Sequence, residues 1–261
     1  MEQQQTWRRE LPNYKQVAPE IEDLPFQARE AINVLRGNIQ LSGANLKVIA
    51  VTSAVANEGK SSIAFRLTKS LAGLKKRTLY LDCDIRNSVT MSRYGMSGQV
   101  QGLTEYLCGA AAMNDIVYRT QDKYMDVILT GAVAPNPSEL VSGKLFTLLL
   151  DEMRKRYDYI IVDTPPINPV IDGTMIAKRC DGTVMVIESG QTDRMQAVRA
   201  KRQLEYAGIK LLGAVLNKVG AAKKGYGYGY GYGYGYGYGY GYGEKNQKRS
   251  GKKADKKEAK D

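Results

Sequence analysis

The sequence predicts an α/β fold in which helices flank a mostly parallel sheet, followed by a C-terminal segment that builds no core. Apolar runs alternate with stretches of helical spacing between residues 47 and 219. These runs are nearly continuous, which is typical of strands that are buried on both faces of a parallel sheet. A strict Gly-Tyr repeat then fills residues 225–243, where glycine at every second position opposes helix and strand alike.

The composition narrows the chemistry that the chain can perform. Its 261 residues include no histidine, and 38 Lys and Arg against 27 Asp and Glu give a formal charge of +11. Without imidazole there is no Ser-His-Asp triad, no Cys-His pair and no His-ligated metal site. Any reaction must therefore use carboxylates, lysine, hydroxyl groups and backbone dipoles. The positive charge favours anionic partners but does not choose among them.

Cysteine usage and the lack of long apolar runs predict the cellular compartment of the chain. Cys83, Cys108 and Cys180 are widely spaced and odd in number, so they suggest neither a disulfide framework nor a thiolate metal site. The first twelve residues lack the apolar core of a signal peptide. No apolar run approaches the roughly 18 to 20 residues of a membrane-spanning helix. We therefore expect a soluble chain in a reducing, cytoplasmic compartment.

Three regions follow from the order of the elements. Residues 1–26 carry prolines among charges and are predicted to form an extended N-terminal arm. Residues 27–220 are predicted to form one domain that opens with an amphipathic helix at 27–43. Residues 221–261 combine the Gly-Tyr repeat with a lysine-rich end and are predicted to be disordered. The strands of the domain are predicted at 47–53, 77–82, 125–131, 157–163, 182–189 and 209–217.

The segment after the first strand has the form of a phosphate-binding loop. A strand, a turn and a helix follow one another, and Gly59, Lys60 and Ser61 stand where the turn enters the helix. Backbone N–H groups and the positive end of the helix can hold phosphate oxygens, while Lys60 can neutralise the terminal phosphates and Ser61 can help to hold Mg²⁺. Ala54 replaces the first glycine of the usual motif. Asn57 suits the turn because asparagine adopts left-handed conformations more readily than most residues.

Two further strands end in carboxylates at the same edge of the predicted sheet. Asp82 and Asp84 stand at the end of RTLYLD and just beyond it, and Asp163 ends YIIVD. The carboxyl ends of parallel strands meet at one edge, where the phosphate loop also lies. Mg²⁺ takes hard oxygen ligands, usually one or two carboxylates together with phosphate oxygens and water. The three motifs together therefore predict a site for a nucleotide and Mg²⁺.

These motifs resemble those of the bacterial tyrosine kinases (BY-kinases) of capsule and exopolysaccharide synthesis. GKSS at 59–62, LYLDCDIR at 79–86 and IIVDTPP at 160–166 look like the Walker A, Walker A′ and Walker B motifs of that family. Further fragments that look like family sequence are NPSEL (136–140), GAVLNKV (213–219) and VLRGNIQLS (34–42). The resemblance implies a P-loop NTPase fold and an ATP-dependent protein-tyrosine kinase that phosphorylates its own C-terminal tyrosines.

The resemblance and the motif chemistry together assign expected roles to the residues. Lys60, Asp82, Asp84 and Asp163 are expected to be catalytic, and Ser61, Asp82 and Asp163 are expected to hold Mg²⁺, the last through water. Either Asp82 or Asp84 is expected to accept the tyrosine proton, and the sequence leaves open which. The expected nucleotide-binding residues are Asn57, Glu58, Gly59, Lys60, Ser61, Ser62 and Asn217, although Asn217 could instead cap its strand. The expected acceptors are Tyr226, Tyr228, Tyr230, Tyr232, Tyr234, Tyr236, Tyr238, Tyr240 and Tyr242.

The resemblance further implies partners and an assembly. A transmembrane polysaccharide co-polymerase is expected to activate the chain and hold it at the inner face of the cell membrane, and a cognate tyrosine phosphatase is expected to reverse the modification. No nucleic acid partner is expected. The interface helix of the family usually reads E-x-x-R-x-x-R, where this chain has Glu30, Asn33 and Arg36. Glu30 and Arg36 are expected at the interface of a ring-shaped homo-oligomer, and Asn33 departs from the family pattern.

Two other functions fit parts of the sequence. A partition or septum-positioning ATPase would share the fold, Lys60 and Asp163, but such proteins usually carry a signature lysine where this chain has Val55. DNA-stimulated ATP hydrolysis without tyrosine phosphorylation would favour that alternative. A non-catalytic adaptor could instead self-associate through the Gly-Tyr repeat. The adaptor hypothesis predicts that a Lys60→Met variant behaves like the parent chain.

Overall fold

The computed structural model of the protein describes residues 15–20, 23–95 and 100–220. These residues belong to one compact unit. Most of the predicted N-terminal arm, and all of the predicted C-terminal segment with its nine acceptor tyrosines, lie outside the described residues. The predicted domain limits at 27 and 220 therefore stay predictions.

Helices and strands alternate through the described residues. The α-helices found there are α1 (Phe26–Leu41), α2 (Lys60–Ala72), α3 (Thr90–Arg93), α4 (Leu103–Leu107), α5 (Pro137–Ser142), α6 (Lys144–Arg156), α7 (Asp172–Ala177) and α8 (Arg194–Tyr206). The strands are β1 (Val48–Ser53), β2 (Thr78–Asp82), β3 (Val117–Arg119), β4 (Met125–Ile128), β5 (Tyr159–Asp163), β6 (Gly182–Glu188) and β7 (Leu211–Asn217). Each of the six predicted strands is present, and the predicted leading helix forms as α1. No helix among these residues has the length and apolar character to cross a membrane.

The strands form one seven-stranded sheet in the order β3-β4-β2-β5-β1-β6-β7. Every neighbouring pair runs parallel except β3 with β4. The predicted, mostly parallel α/β sheet is therefore confirmed. After β1 the chain winds towards β2, and it later crosses to β6 on the other side of β1. Sheets of this kind bind ligands beyond the carboxyl ends of their strands, at the point where the winding reverses.

The central strands are buried on both faces, as their apolar runs predict. Every residue of β1 is buried, and alternate residues point to opposite faces of the sheet. Ile49 and Val51 join the cluster that contains the buried side chains of α1 and α2. Val48 packs in the cluster that contains α6, and Ala50 packs in the cluster that contains α8. Burial on both faces fixes the register of β1, and with it the position of the loop that follows.

The two edges of the sheet differ from the sequence prediction in one respect. The three-residue strand β3 was not predicted, because three residues are too few to display an alternating pattern. Beyond β3 lies the N-terminal arm, where the Arg119 N–H donates to the Lys15 carbonyl at 3.0 Å and the Val17 N–H donates to the Arg119 carbonyl at 2.9 Å. At the other edge, every residue of β7 is partly or fully exposed.

Candidate active site

The loop between β1 and α2 contains two residues in the left-handed region of backbone space. Asn57 has φ of 68° and Gly59 has φ of 92°. Glycine at position 59 also leaves room for Asn217, because a Cβ atom there would clash with Nδ2 of Asn217 and force that side chain to shift. The end of β7 therefore packs directly on the loop. The helix α2 begins at Lys60, so its free N–H groups face the same loop.

Side chains from the loop itself, from the segment after β6 and from the end of β7 hold the loop in place. The Glu58 side chain accepts hydrogen bonds from the Val55 N–H at 2.8 Å and from the Thr192 hydroxyl. Asn217 Nδ2 donates to the Glu58 carbonyl at 2.9 Å, and Lys218 Nζ donates to the Asn57 carbonyl at 2.9 Å. These contacts pin the loop to the segment after β6 and to the end of β7.

The Glu58 side chain lies inside the loop, and binding of the nucleotide through the backbone of this residue stays a prediction. We expected Glu58 to bind the nucleotide, yet the residue is only 1% exposed and is absent from the lining of the cleft. Its carboxylate is occupied by Val55 and Thr192 instead. Glu58 thus shapes the loop from inside, and its side chain does not face a ligand in the cleft.

Lys60 lies between two carboxylates. Its Nζ is 2.8 Å from Oδ2 of Asp84 and 3.8 Å from Oδ1 of Asp163. Burial alone would lower the pKa of Lys60, but the charges of Asp163 and Asp84 outweigh it and raise the pKa above its ordinary value. The lysine is therefore a fixed cation, placed where the loop and two strand ends converge.

Asp82 and Asp163 stand opposite each other on the neighbouring strands β2 and β5. Asp82 accepts hydrogen bonds from the Ser88 hydroxyl at 2.6 Å and from the Asp84 N–H at 3.1 Å. Burial, and then the charge of Asp163, raise the pKa of Asp82 to about 6. Two buried carboxylates this close repel each other, so the pair favours a bound cation.

Asp163 has one oxygen with a hydrogen-bond partner and one without. Tyr80 donates its hydroxyl to Oδ2 at 2.9 Å, while the buried Oδ1 lacks a hydrogen-bond partner among the described residues. Burial raises the pKa of Asp163. Burial of the Tyr80 hydroxyl, and then the charge of Asp163, raise the pKa of Tyr80 well above its ordinary value. Tyr80 was not predicted as a site residue. Its position two residues before Asp82 was the available signal, because side chains two apart on a strand share a face.

The donor set fits Mg²⁺ together with a phosphate ligand. A hydroxyl group on Ser61 and carboxylates on Asp82, Asp84 and Asp163 supply hard oxygen donors, and the buried Oδ1 of Asp163 accepts no hydrogen bond within the described part of the chain. Within the described ranges no three Asp, Glu, Cys or His side chains form a cage that could hold a metal by themselves. Mg²⁺ usually keeps phosphate oxygens and water among its ligands, so a partial protein shell is what such a site requires.

A cleft of about 640 Å³ opens over these residues. Of the predicted site residues, those that line it are Asn57, Gly59, Lys60, Ser61, Ser62, Asp84 and Asn217. Asp82 and Asp163 lie beneath its surface at 0% and 1% exposure. The structure thus brings the predicted phosphate, metal and carboxylate residues of the described chain into one place.

Sequence reasoning missed three cations that also line the cleft. These are Arg86, Arg93 and Lys218. Arg86 is held by the buried carboxylate of Asp172, from which its Nε lies 2.5 Å, and Ser138 donates a hydrogen bond to the same carboxylate. The motif LYLDCDIR contained Arg86, but nothing local in the sequence indicated its partners, which are 52 and 86 residues away.

The residues expected at an oligomer interface make contacts within the chain. The Asn33 amide donates to Glu30 at 2.9 Å. Arg36 Nη1 donates to the carbonyl and hydroxyl oxygens of Ser70 on α2, at 3.0 and 2.8 Å. Asn33 also accepts from the Ser70 hydroxyl at 3.2 Å, so the residue that departs from the family pattern helps to join α1 to α2.

Comparison with known proteins gives tyrosine-protein kinases among the sequence relatives. The family model described as an AAA domain matches residues 46–193. Tyrosine-protein kinase CpsD of Streptococcus agalactiae is 40% identical over 201 residues, which are 77% of this chain and 88% of that protein. Tyrosine-protein kinase YwqD of Bacillus subtilis is 37% identical over 202 residues, which are 76% of this chain and 85% of that protein.

Solved structures agree with these relatives. The kinase domain of the Escherichia coli tyrosine kinase ETK matches with a TM-score of 0.71 at 28% identity, covering 81% of this chain and 87% of that domain. The septum site-determining protein MinD of Pyrococcus horikoshii, complexed with Mg-ADP, matches with a TM-score of 0.59 at 20% identity, covering 68% of this chain and 72% of that one. The MinD likeness shows the fold alone and confirms the predicted P-loop NTPase class. The loop, the paired carboxylates and the relatives agree, and the chain belongs to the family of bacterial tyrosine-protein kinases.

Proposed function

We propose that the chain is an ATP- and Mg²⁺-dependent protein-tyrosine kinase whose substrates include the tyrosines of its own Gly-Tyr segment. One observation carries the proposal: Lys60 lies between Asp84 and Asp163 at the carboxyl ends of adjacent strands, directly after a phosphate-type loop. Phosphoryl transfer depends on positioning and on neutralising charge more than on covalent chemistry. This cation, these carboxylates and this loop are suited to both tasks.

Different residues of the chain bind the phosphates, the metal ion and the rest of the nucleotide. Backbone N–H groups of the loop and of the start of α2 bind phosphate oxygens, and Lys60 leaves Asp84 to neutralise the terminal phosphates. Ser61 and Asp82, and Asp163 through water, would hold Mg²⁺, which would neutralise negative charge on the phosphates. Asn217 lines the cleft beyond the loop, where it would contact the rest of the nucleotide, and Lys218 holds the loop through the Asn57 carbonyl.

The tyrosine hydroxyl needs a proton acceptor because its ordinary pKa is near 10. Geometry favours Asp84, whose side chain lines the cleft. Proton affinity favours Asp82, because a pKa of about 6 suits a base that works near neutral pH. Comparison of Asp82→Asn with Asp84→Asn separates the two, since loss of the base removes the corresponding acidic limb of the pH–rate profile.

Phosphorylation would change the charge of the chain and so its contacts. Each phosphotyrosine adds about −1.5 to −2 at neutral pH, so nine would add on the order of −14 to −18. That exceeds the formal +11 of the whole chain. We infer that this change governs assembly in a ring-shaped homo-oligomer and contact with a transmembrane polysaccharide co-polymerase at the inner membrane face. A cognate tyrosine phosphatase would restore the original charge.

The test is incubation of the purified chain with Mg-ATP, with and without the cytoplasmic segment of a co-polymerase, followed by mass spectrometry. We expect phosphate on tyrosines between 226 and 242, and none with a Lys60→Met variant. Lys201→Met, on the exposed face of α8, is the matched control and should keep the parent activity. Phosphotyrosine in the Lys60→Met protein, or its absence from the parent under both conditions, would overturn the proposal.

A further inference from the structure

A second pocket lies between α1 and the C-terminal half of α2, the end of that helix remote from Lys60. Its volume is about 310 Å³. Small-ligand sites in proteins usually measure about 300 to 1,000 Å³. Among the described residues, none that we assign to phosphoryl transfer lines this pocket. It is therefore a separate feature that the proposed reaction does not use.

The lining of this pocket combines apolar side chains with cations. Leu24, Ile32 and Leu74 provide apolar surface. Four cationic residues surround them, namely Arg29, Arg36, Arg66 and Lys69. Asp23 is the one acid among the described lining residues. The pocket therefore suits a ligand with an apolar body and a negatively charged end.

The cations differ in how firmly they are held. Arg36 is half-buried and fixed, because its Nη1 donates to both oxygens of Ser70. A guanidinium held in this way still has donors to offer, since it carries five N–H groups. Arg29 and Lys69 are exposed, and because the hydrogen bond from Arg29 Nη2 to the Leu24 carbonyl is long at 3.4 Å, both cations can turn towards a ligand. A fixed donor with adjustable neighbours is suited to a phosphate group, which accepts several charge-assisted hydrogen bonds.

We propose that this pocket binds phosphotyrosine, presented by the Gly-Tyr segment of a second copy of the chain. An aromatic ring matches the apolar surface, and a phosphate dianion matches the cationic rim. The nine tyrosines of residues 226–242 are each flanked by glycine, so no neighbouring side chain obstructs entry. The inference rests on the proposed function, because it requires that these tyrosines become phosphorylated.

Occupation of the pocket would make assembly respond to phosphorylation. The pocket includes Arg36 and Asn33 of α1, the helix whose residues Glu30 and Arg36 we expect at an oligomer interface. A phosphotyrosine bound there would place a dianion beside that interface. Anionic lipid is the other source of phosphate chemistry, but a concave pocket with an apolar floor favours a single aromatic side chain over a membrane surface.

The experiment measures binding of a fluorescent peptide to the full chain carrying Lys60→Met, which cannot modify the probe. The peptide has the sequence of residues 225–243 with three phosphotyrosines, and the comparison peptides carry either tyrosine or phosphoserine at those positions. We expect Arg29→Gln with Lys69→Gln to weaken binding of the phosphotyrosine peptide by about tenfold or more. Arg199→Gln with Arg202→Gln on α8 removes the same charge from another exposed face and should change the affinity less than twofold.

Three results of this experiment would contradict binding of phosphotyrosine in the pocket. Equal weakening by the two double variants would mean non-specific charge attraction, and equal affinity for the phosphoserine peptide would mean that the apolar surface plays no part. Tighter, pocket-dependent binding to phosphatidylserine vesicles than to the peptide would assign the pocket to lipid. Any of these results overturns the inference. Unchanged melting temperatures of both double variants confirm that the fold is intact.

Failure of this inference is distinguishable from failure of the proposed function. The peptide is synthetic, so its binding does not depend on kinase activity. Peptide binding without phosphotyrosine formation in the Mg-ATP assay would overturn the proposed function alone. Phosphorylation without peptide binding would overturn the phosphotyrosine pocket alone.

Discussion

The two charged regions of the molecule are organised in opposite ways. At the carboxyl ends of β2 and β5, the carboxylates of Asp82 and Asp163 are buried and stand opposite each other. In the pocket between α1 and α2, Arg29 and Lys69 are exposed and adjustable. Buried charges are strongly coupled and weakly screened by salt, whereas exposed charges are screened within about 10 Å at 0.1 M ionic strength. The first arrangement suits chemistry that needs fixed geometry, and the second suits recognition.

The largest effect on activity is expected when a buried carboxylate is neutralised. Asp163→Asn removes a charge that faces Lys60 and, in our proposal, Mg²⁺. We expect the rate of tyrosine phosphorylation to fall about 10²- to 10³-fold, as for other pre-organised electrostatic groups. Single-turnover phosphorylation measures the effect. Asp151→Asn, on the exposed side of α6, is the matched control, and a rate for Asp163→Asn within twofold of this control would contradict the assignment.

A stability measurement tests whether the buried charges oppose folding. The pKa of Asp82 is about 6 in the fold against an ordinary value of 3.8, so the folded state binds the proton more tightly than the unfolded state. The free energy of unfolding contributed by this group therefore falls as pH rises from about 4 to 6, and stays low above that window. Asp82→Asn should then be more stable than the parent at pH 7, by about 1 to 3 kcal/mol.

The comparison of Asp82→Asn with the parent is made by urea denaturation at several pH values. The difference in free energy of unfolding should shrink as pH falls from 6 to 4, because the parent carboxyl takes up a proton in the folded state and no longer buries a charge. A difference that is constant across that range would show that packing, and not charge, causes it. The phosphorylation rate should fall to a low but measurable level in the same variant, which separates stability from function.

A third change tests how the phosphate loop is positioned. Lys218 Nζ donates to the Asn57 carbonyl at 2.9 Å and pairs with Glu188 at 2.8 Å. Lys218→Met should raise the KM for ATP about three- to tenfold with little change in kcat, because one charged hydrogen bond contributes about 1.5 to 3 kcal/mol before solvent screening. Lys218→Arg should restore part of the affinity. A fall in kcat at unchanged KM would contradict a positioning role.

The smallest effect is expected at the contact between α1 and α2, beside the pocket that we propose for phosphotyrosine. Arg36→Met removes two hydrogen bonds to Ser70 but keeps an apolar stem of similar length. Because the side chain is half-buried, we expect a loss of about 0.5 to 1.5 kcal/mol in the free energy of unfolding. Chemical denaturation against Arg202→Met measures it. A loss above about 3 kcal/mol would show that Arg36 is a structural residue and would weaken its role in binding phosphotyrosine.

Local patterns were enough to predict the core of the fold and the position of the site. The strands β1, β2 and β5 are continuous apolar runs that end in a loop or a carboxylate, so their burial and their shared edge follow from period and topology. Asn57 adopts the left-handed conformation that its residue type favours in a turn. These features depend on a few neighbouring residues, which a sequence displays directly.

The contacts that sequence reasoning missed all join distant segments. Glu58 turns away from the cleft because Thr192, 134 residues later, offers it a hydroxyl. Arg86 is aligned by Asp172, 86 residues away. The strand β3 depends on its pairing with β4 and with the N-terminal arm, since three residues have no periodicity of their own. Partners of this kind depend on packing in three dimensions and leave no local pattern.

The N-terminal arm has a practical consequence through its contact with β3. Residues 15 to 17 occupy hydrogen-bonding groups at the outer edge of the sheet, including both backbone groups of Arg119. An uncovered edge strand is a template for pairing with another chain and a common cause of aggregation. A truncated protein that starts at residue 27 would lose this cover. Material shortened to the predicted domain would therefore associate edge to edge, and this artefact could be mistaken for a natural oligomer.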